Sequence, residues 1–93
     1  MIKSFGNRDT ERLWRRDRVP SIDPRIHSAA LRKLRQVGSA EELDDLRLPP
    51  GNRLEALKGD RAGQHSIRIN DQWRICFVWT DAGPEEVEIV DYH

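Results

Sequence analysis

From His65 to Trp79 the chain alternates apolar and polar residues in two runs separated by a polar tripeptide. That pattern is the signature of a half-buried β-hairpin. In the first run Ile67 and Ile69 share one face and Ser66, Arg68 and Asn70 the other. In the second, Trp73, Ile75, Phe77 and Trp79 share a face, with Arg74, Cys76 and Val78 opposite. Residues directly opposite in an antiparallel pair point the same way, so parity fixes the turn. A two-residue turn at Asp71-Gln72 would set Arg68 against Ile75 and mix the faces. A three-residue loop, Asn70-Asp71-Gln72, pairs Ile69 with Trp73, Ile67 with Ile75 and Arg68 with Arg74. Such a loop usually carries one residue in the left-handed region, which Asn and Asp tolerate.

This register sets two arginines across from each other on the side away from the Ile/Trp/Phe core. Like charges in that position destabilise a sheet. Two readings follow: solvated arginines that splay apart, or an anion site, most naturally for phosphate, whose oxygens suit the guanidinium fork.

A chain of 93 residues implies one domain, 1–93, with one modest core. The single cysteine, Cys76, cannot form an internal disulfide, which points to a reducing cytoplasm. It reads as a small buried strand residue. The start, Met1 to Phe5, lacks a signal-peptide core, and no apolar run could span a bilayer. Net charge is zero, yet Met1 to Arg35 holds ten Lys/Arg against four Asp/Glu, and no Lys or Arg follows Cys76. A basic face suits nucleic acid or an acidic partner, although solvated helix surfaces are the default explanation.

Ile2 to Phe5 reads as a first strand. Asn7 or Asp9 can cap a short helix from Thr10 to about Arg18, anchored by Leu13 and Trp14 and ended before Val19-Pro20. Asp23-Pro24 starts a second helix in which Ile26, Ala30, Leu34 and Val37 form the apolar face. Arg25, Arg32, Lys33 and Arg35 lie opposite, His27 is a surface residue, and Gly38 is the expected terminator. Ser39 and Glu42 have capping-box spacing for a short helix to about Leu46. Residues 53–57 read as a strand, 58–63 as a polar turn, 80–84 as a loop and Glu86 to Tyr92 as a last strand. The expected fold class is α+β: an N-terminal strand, two to three helices, then an antiparallel β-meander with helices on one face. The other face would be open and would carry Arg68 and Arg74.

Asp91-Tyr92-His93 lines up three proton-handling groups. A frayed terminus is one reading; a patterned strand leading into it favours an anchored one. RNA cleavage by its own 2′-hydroxyl needs a base, an acid and cations for the charged phosphorane, and no metal. Glu55, Lys58, Arg68, Arg74, Asp91, Tyr92 and His93 can supply these parts. Zinc-ligand spacing, a phosphate-binding Walker loop and a dinucleotide loop are absent from the sequence.

Ile2-Lys3-Ser4-Phe5, Arg53-Leu54-Glu55-Ala56-Leu57-Lys58-Gly59-Asp60, Ser66-Ile67, Asn70-Asp71-Gln72-Trp73-Arg74-Ile75 and the closing Asp91-Tyr92-His93 together resemble the HigB-like (proteic killer) branch of the RelE/ParE toxin superfamily. The resemblance covers the whole chain, the helices in pattern only. It implies a RelE-like, microbial-ribonuclease-like fold and a toxin of a type II toxin–antitoxin system. Such toxins enter the A site of the 70S ribosome and cut mRNA there. It implies a helix-turn-helix (HigA-like) antitoxin as partner, with operator DNA reached through that antitoxin, and no metal or other cofactor. Lys58 and Arg74 correspond to the family's phosphate-binding cations, and Asp91, Tyr92 and His93 to its C-terminal catalytic group. Within that group His93 or Tyr92 would transfer the proton, with Asp91 orienting it or acting as base.

Glu55 departs from the family, many of whose members have histidine there. A carboxylate can replace it as base but is a poor proton donor at neutral pH. Arg68, with Asn70 beside it, enters the RNA-binding set on the register argument alone. His65 borders the region, either packing at the core edge or stacking on a ligand. Two other functions fit the superfamily: a ParE-like inhibitor of DNA gyrase, which needs no acid–base cluster, and an inactive module that binds its antitoxin.

Overall fold

The computed structural model describes residues 1–91. Two helices, α1 (Arg8–Trp14) and α2 (His27–Ser39), pack on one face of a four-stranded antiparallel meander. Its strands, in spatial and chain order, are β1 (Glu55–Ala56), β2 (His65–Arg68), β3 (Trp73–Thr80) and β4 (Gly83–Asp91). No described helix is long and apolar enough to cross a membrane.

The hairpin has the register that parity requires: Arg68 faces Arg74 and Ile67 faces Ile75. The Ile69 N–H donates to the Trp73 carbonyl at 2.9 Å, closing the three-residue loop. The expected left-handed residue is not there, since the positive-φ residues lie elsewhere. Asn70 replaces it by chemistry: its Oδ1 accepts from the N–H groups of Gln72 and Trp73, both at 2.8 Å. A side-chain acceptor thus does the work of a strained backbone.

The core forms where the helices cover the β2–β4 face. Leu13, Ala30, Leu34, Val37, Ile67, Ile75, Phe77 and Val87 are almost or fully inaccessible, with Ile89 beside them. Burying an Ile or Leu side chain contributes about 1.5–3 kcal/mol, so these positions dominate the stability. Ile69 and Trp79 are only half-buried at the margin.

Several boundaries differ from the sequence reading, each for a local reason. Helix α1 begins earlier, because the Asn7 side chain accepts from the Thr10 N–H at 2.8 Å. It stops at Trp14, and Arg16 takes a left-handed conformation with φ of 66°. Trp14 is exposed rather than an anchor; Leu13 alone is buried. Gly38 lies within α2 and does not end it. A Cβ there would sit 3.4 Å from Ile2 Cγ1, so the glycine serves close approach of the N-terminal segment. The capping box falls three residues later than expected, between Glu42 and Asp45.

Lys33 is buried, not solvated. Its Nζ donates to Asn52 Oδ1 at 2.5 Å, and Asn52 Nδ2 donates to Gln36 Oε1 and to the carbonyls of Leu46 and Leu48. This network ties α2 to the segment before β1. The strand expected over 53–57 shrinks to Glu55–Ala56, because Arg53 turns left-handed at φ 47°. The loop expected over 80–84 reduces to Asp81-Ala82, since Thr80 already pairs with Gly83.

The N-terminal segment is a single parallel bridge, Phe5 to Val87, rather than a full strand. Lys3 N–H donates to the Pro84 carbonyl and Gly6 N–H to that of Val87, while Val87 N–H donates to Ser4. The Ile89 N–H donates to Thr10 Oγ1 at 2.8 Å. The outer edge of β4 is thereby covered by the start of the chain. The face away from the helices is not open throughout: Ser66 and Cys76 on it are fully buried.

Candidate active site

The strand register lines up Glu55, Ser66, Cys76 and Glu88 in one row across all four strands. Opposed residues share a face, so the row lies on the side away from the helices. Two arginines cover it. Arg74, two residues from Cys76 along β3 and on the same face, leans back: its Nε donates to Ser66 Oγ at 2.9 Å and its Nη2 to the Arg53 carbonyl at 3.0 Å. Nη2 also pairs with Glu55 Oε1 at 3.2 Å. At the other end Arg61 donates to Glu88 Oε1 at 2.5 Å and to Gln64 Oε1 at 3.1 Å. The aliphatic stems and paired head groups of such arginines can roof a short polar row, which accounts for the burial of Ser66 and Cys76.

The Arg74 side chain is only 13% exposed while that of Glu55 is 49% exposed. Such a half-solvated pair contributes at most about 1 kcal/mol to stability, so an incoming anion can displace the carboxylate at low cost. Burial pushes the Cys76 thiol above its ordinary value; around it Arg61 and Arg74 act to lower it, and Glu88 and Glu55 to raise it. The thiol is therefore held neutral and serves as filling, not as nucleophile.

The residues singled out from the sequence do not all converge. Glu55 and Arg74 are in contact. Lys58 is exposed just past β1, at the start of the Gly59–Arg61 turn. Arg68 turns away from Arg74, donating to the Asn70 carbonyl at 3.1 Å and pairing with Asp71. The two opposed arginines thus splay, each with its own partners, and Asn70 spends its oxygen on its own turn. Asp91 pairs in register with Trp73, which alternation puts on the helix side of the sheet; its carboxylate accepts from Gln72 Nε2 at 3.0 Å. Tyr92 and His93 lie outside the described residues. His65 is half-buried, and its Nδ1 has no hydrogen-bond partner among the described residues.

Ser66, Arg61, Glu88 and the Arg53 carbonyl were not foreseen as parts of the site. Alternation alone already put Ser66 and Glu88 away from the core, and a paired β1–β4 order would have placed them in line. Arg61 sits in a glycine-flanked turn, and only tertiary structure brings it over β4. A pocket of about 490 Å³ lies elsewhere, between Ser39–Leu43 and Trp79–Gly83, and contains none of these residues. A phosphodiester strand needs an open charged surface rather than an enclosed cavity, so the arginine-covered row is the stronger candidate.

The fold is that of the RelE/ParE-type toxins. It matches the solved YoeB/ParE toxin of Agrobacterium tumefaciens with a TM-score of 0.52 and 22% identity, covering 99% of this chain and 96% of that one. At that identity the likeness speaks for the fold alone. The family described as "RelE-like toxin of type II toxin-antitoxin system HigB" matches residues 3–93. Toxin HigB-1 of Vibrio cholerae is 39% identical over 82 residues, 87% of this chain and 86% of the relative. Endoribonuclease HigB of Proteus vulgaris is 28% identical over 93 residues, spanning both chains completely. The chain belongs to the HigB-like toxins, and as a type II toxin it has an antitoxin as its partner.

Proposed function

We propose that the chain is a ribosome-dependent endoribonuclease that cuts mRNA during translation, using the message's own 2′-hydroxyl as nucleophile. One observation carries this reading: a carboxylate, Glu55, and a held guanidinium, Arg74, lie 3.2 Å apart at the rim of one sheet face. The reaction needs a base for the 2′-hydroxyl beside a cation for the phosphate, and this pair supplies both within one step of each other. The Proteus vulgaris relative, named as an endoribonuclease, supports RNA cleavage as the activity.

In this reading the scissile phosphate takes the place of Glu55 on the Arg74 fork. The released carboxylate then accepts the 2′-hydroxyl proton. Lys58 contacts a flanking phosphate, and Arg68 and Asn70 do so once the message draws Arg68 off Asp71. Tyr92 or His93 protonates the departing 5′-oxygen, with Asp91 orienting it. No step calls for a metal, because the substrate brings its own nucleophile. The A site of the 70S ribosome presents the strand, in the cytoplasm where translation runs. A helix-turn-helix antitoxin neutralises the toxin and carries it to operator DNA.

The test is induction of the protein without its antitoxin, followed by mapping of mRNA 5′ ends. In-frame cuts within translated codons are expected. Arg74→Ala should lower the rate about 10²–10³-fold and Glu55→Gln about 10²–10⁴-fold, both with a preserved fold; His93→Gln should abolish growth arrest. Uncut messages, or arrest of DNA replication ahead of protein synthesis, would overturn the reading.

A further inference from the structure

We infer that Ser66 is a positioning residue for cleavage: its buried hydroxyl fixes the plane of the Arg74 guanidinium toward the phosphate. The inference rests on the nuclease reading above and names a part of the site which that reading does not require.

Serine is a poor choice for this position on packing grounds. Ser66 is fully buried in β2, between Glu55 on β1 and Cys76 on β3. Buried strand positions favour β-branched or apolar side chains, and a hydroxyl taken out of water costs free energy unless it is hydrogen-bonded. The bond it makes is to Arg74 Nε, at 2.9 Å. An arginine side chain has four rotatable bonds, and a single contact at its tip leaves the plane of the fork undefined. Here two hydrogen bonds to fixed atoms define it, beside the ion pair with the half-exposed Glu55. Ser66 holds Nε and the Arg53 carbonyl holds Nη2. Three points therefore fix the plane: Cδ on its stem and the two anchored nitrogens.

The Arg53 carbonyl is itself fixed. Arg53 is the left-handed residue that follows Asn52, and Asn52 is locked by Lys33, Gln36 and two backbone carbonyls. A guanidinium held in this way meets a phosphate without first being ordered, and a misaligned one loses most of its value in the transition state.

A purely structural role would give the same geometry, so the test reads orientation separately from folding. The isosteric pair Ser66→Thr and Ser66→Val differs only in the hydroxyl, and any packing cost is common to both. In single-turnover cleavage on programmed ribosomes, Ser66→Thr should cut at close to the wild-type rate and Ser66→Val about ten- to a hundredfold slower, with ribosome affinity unchanged in both. Arg74→Lys keeps the charge but lacks the Nε donor, and should fall to the level of Ser66→Val. In ¹⁵N NMR the Arg74 Nε–H should be protected from solvent exchange in wild type and in Ser66→Thr, and unprotected in Ser66→Val. Equal rates for the two Ser66 variants, full activity of Arg74→Lys, or unchanged Nε–H protection in Ser66→Val would each overturn the inference. Full activity of Arg74→Ala would instead sink the nuclease site itself.

Discussion

At the scale of single residues, the row Glu55–Ser66–Cys76–Glu88 sets chemistry by neighbourhood. Cys76 lies at its centre with its thiol raised by burial, so it should resist alkylation in the native protein and react at the unfolding rate or slower. The sign of its pH effect follows. The unfolded chain releases this proton near the ordinary value of 9.0, while the native chain retains it. The native state then binds more protons, and stability falls as pH rises above 9.0. Cys76→Ala should remove that part of the alkaline decline, as read from denaturant melts of both proteins between neutral pH and pH 10. Residue identity in the sequence made Arg74 and Glu55 candidates, and they do meet. It gave no hint that Arg68 would fold back on Asp71, since both arrangements satisfy the same register.

At the scale of elements, the joints are polar and buried. Asn52 accepts from Lys33 and donates to the carbonyls of Leu46 and Leu48, so Asn52→Ala leaves several groups orphaned at once. We expect a loss of about 2–4 kcal/mol by chemical denaturation. Lys33 behaves oppositely to Cys76. Desolvation, with Arg32 adding to it, lowers its pKa from 10.5. Between the lowered value and 10.5 the unfolded chain holds a proton that the native one has shed, so this group makes stability rise with pH there. Lys33→Met should therefore become relatively more destabilising as pH climbs through that window, a difference that melts of the two proteins would show. The joint between the N-terminal segment and β4 is steric. A Cβ on Gly6 would lie 2.8 Å from the Glu86 carbonyl oxygen, so Gly6→Ala should cost about 1–3 kcal/mol in the same assay. The periodicities of α2 and of the hairpin were legible in the sequence because each is set by a repeating apolar face. The ends of elements were not, because they depend on single side-chain contacts such as Asn7 with the Thr10 N–H.

At the scale of the whole molecule, the chain closes on itself: its first six residues cover the outer edge of its last strand. An uncovered edge strand is a template for pairing with other chains. Removing residues 1–6 should therefore promote self-association, visible in size-exclusion chromatography as a shift to larger species relative to the full chain. It should also broaden the thermal transition, since Ile2 and Phe5 pack against the core. The uneven charge belongs to this scale too. Ten of the sixteen Lys/Arg fall in the first 35 residues, so the charge is unevenly spread along the chain although the total is neutral. If the proposed action on ribosomes holds, binding to them should weaken steeply with added salt despite zero net charge.

The sequence by itself determined the strand parity, the hairpin register and the apolar face of α2, because alternation and helical period are local properties of a chain that has one side to bury. It also carried the family's terminal and hairpin motifs. Only the tertiary structure decided which charges share a partner. Arg61 reaches Glu88 across 27 positions of sequence, and Arg74 reaches the Arg53 carbonyl across 21. Long side chains choose among partners by distance and desolvation after the backbone has closed, and no pattern along the chain encodes that choice.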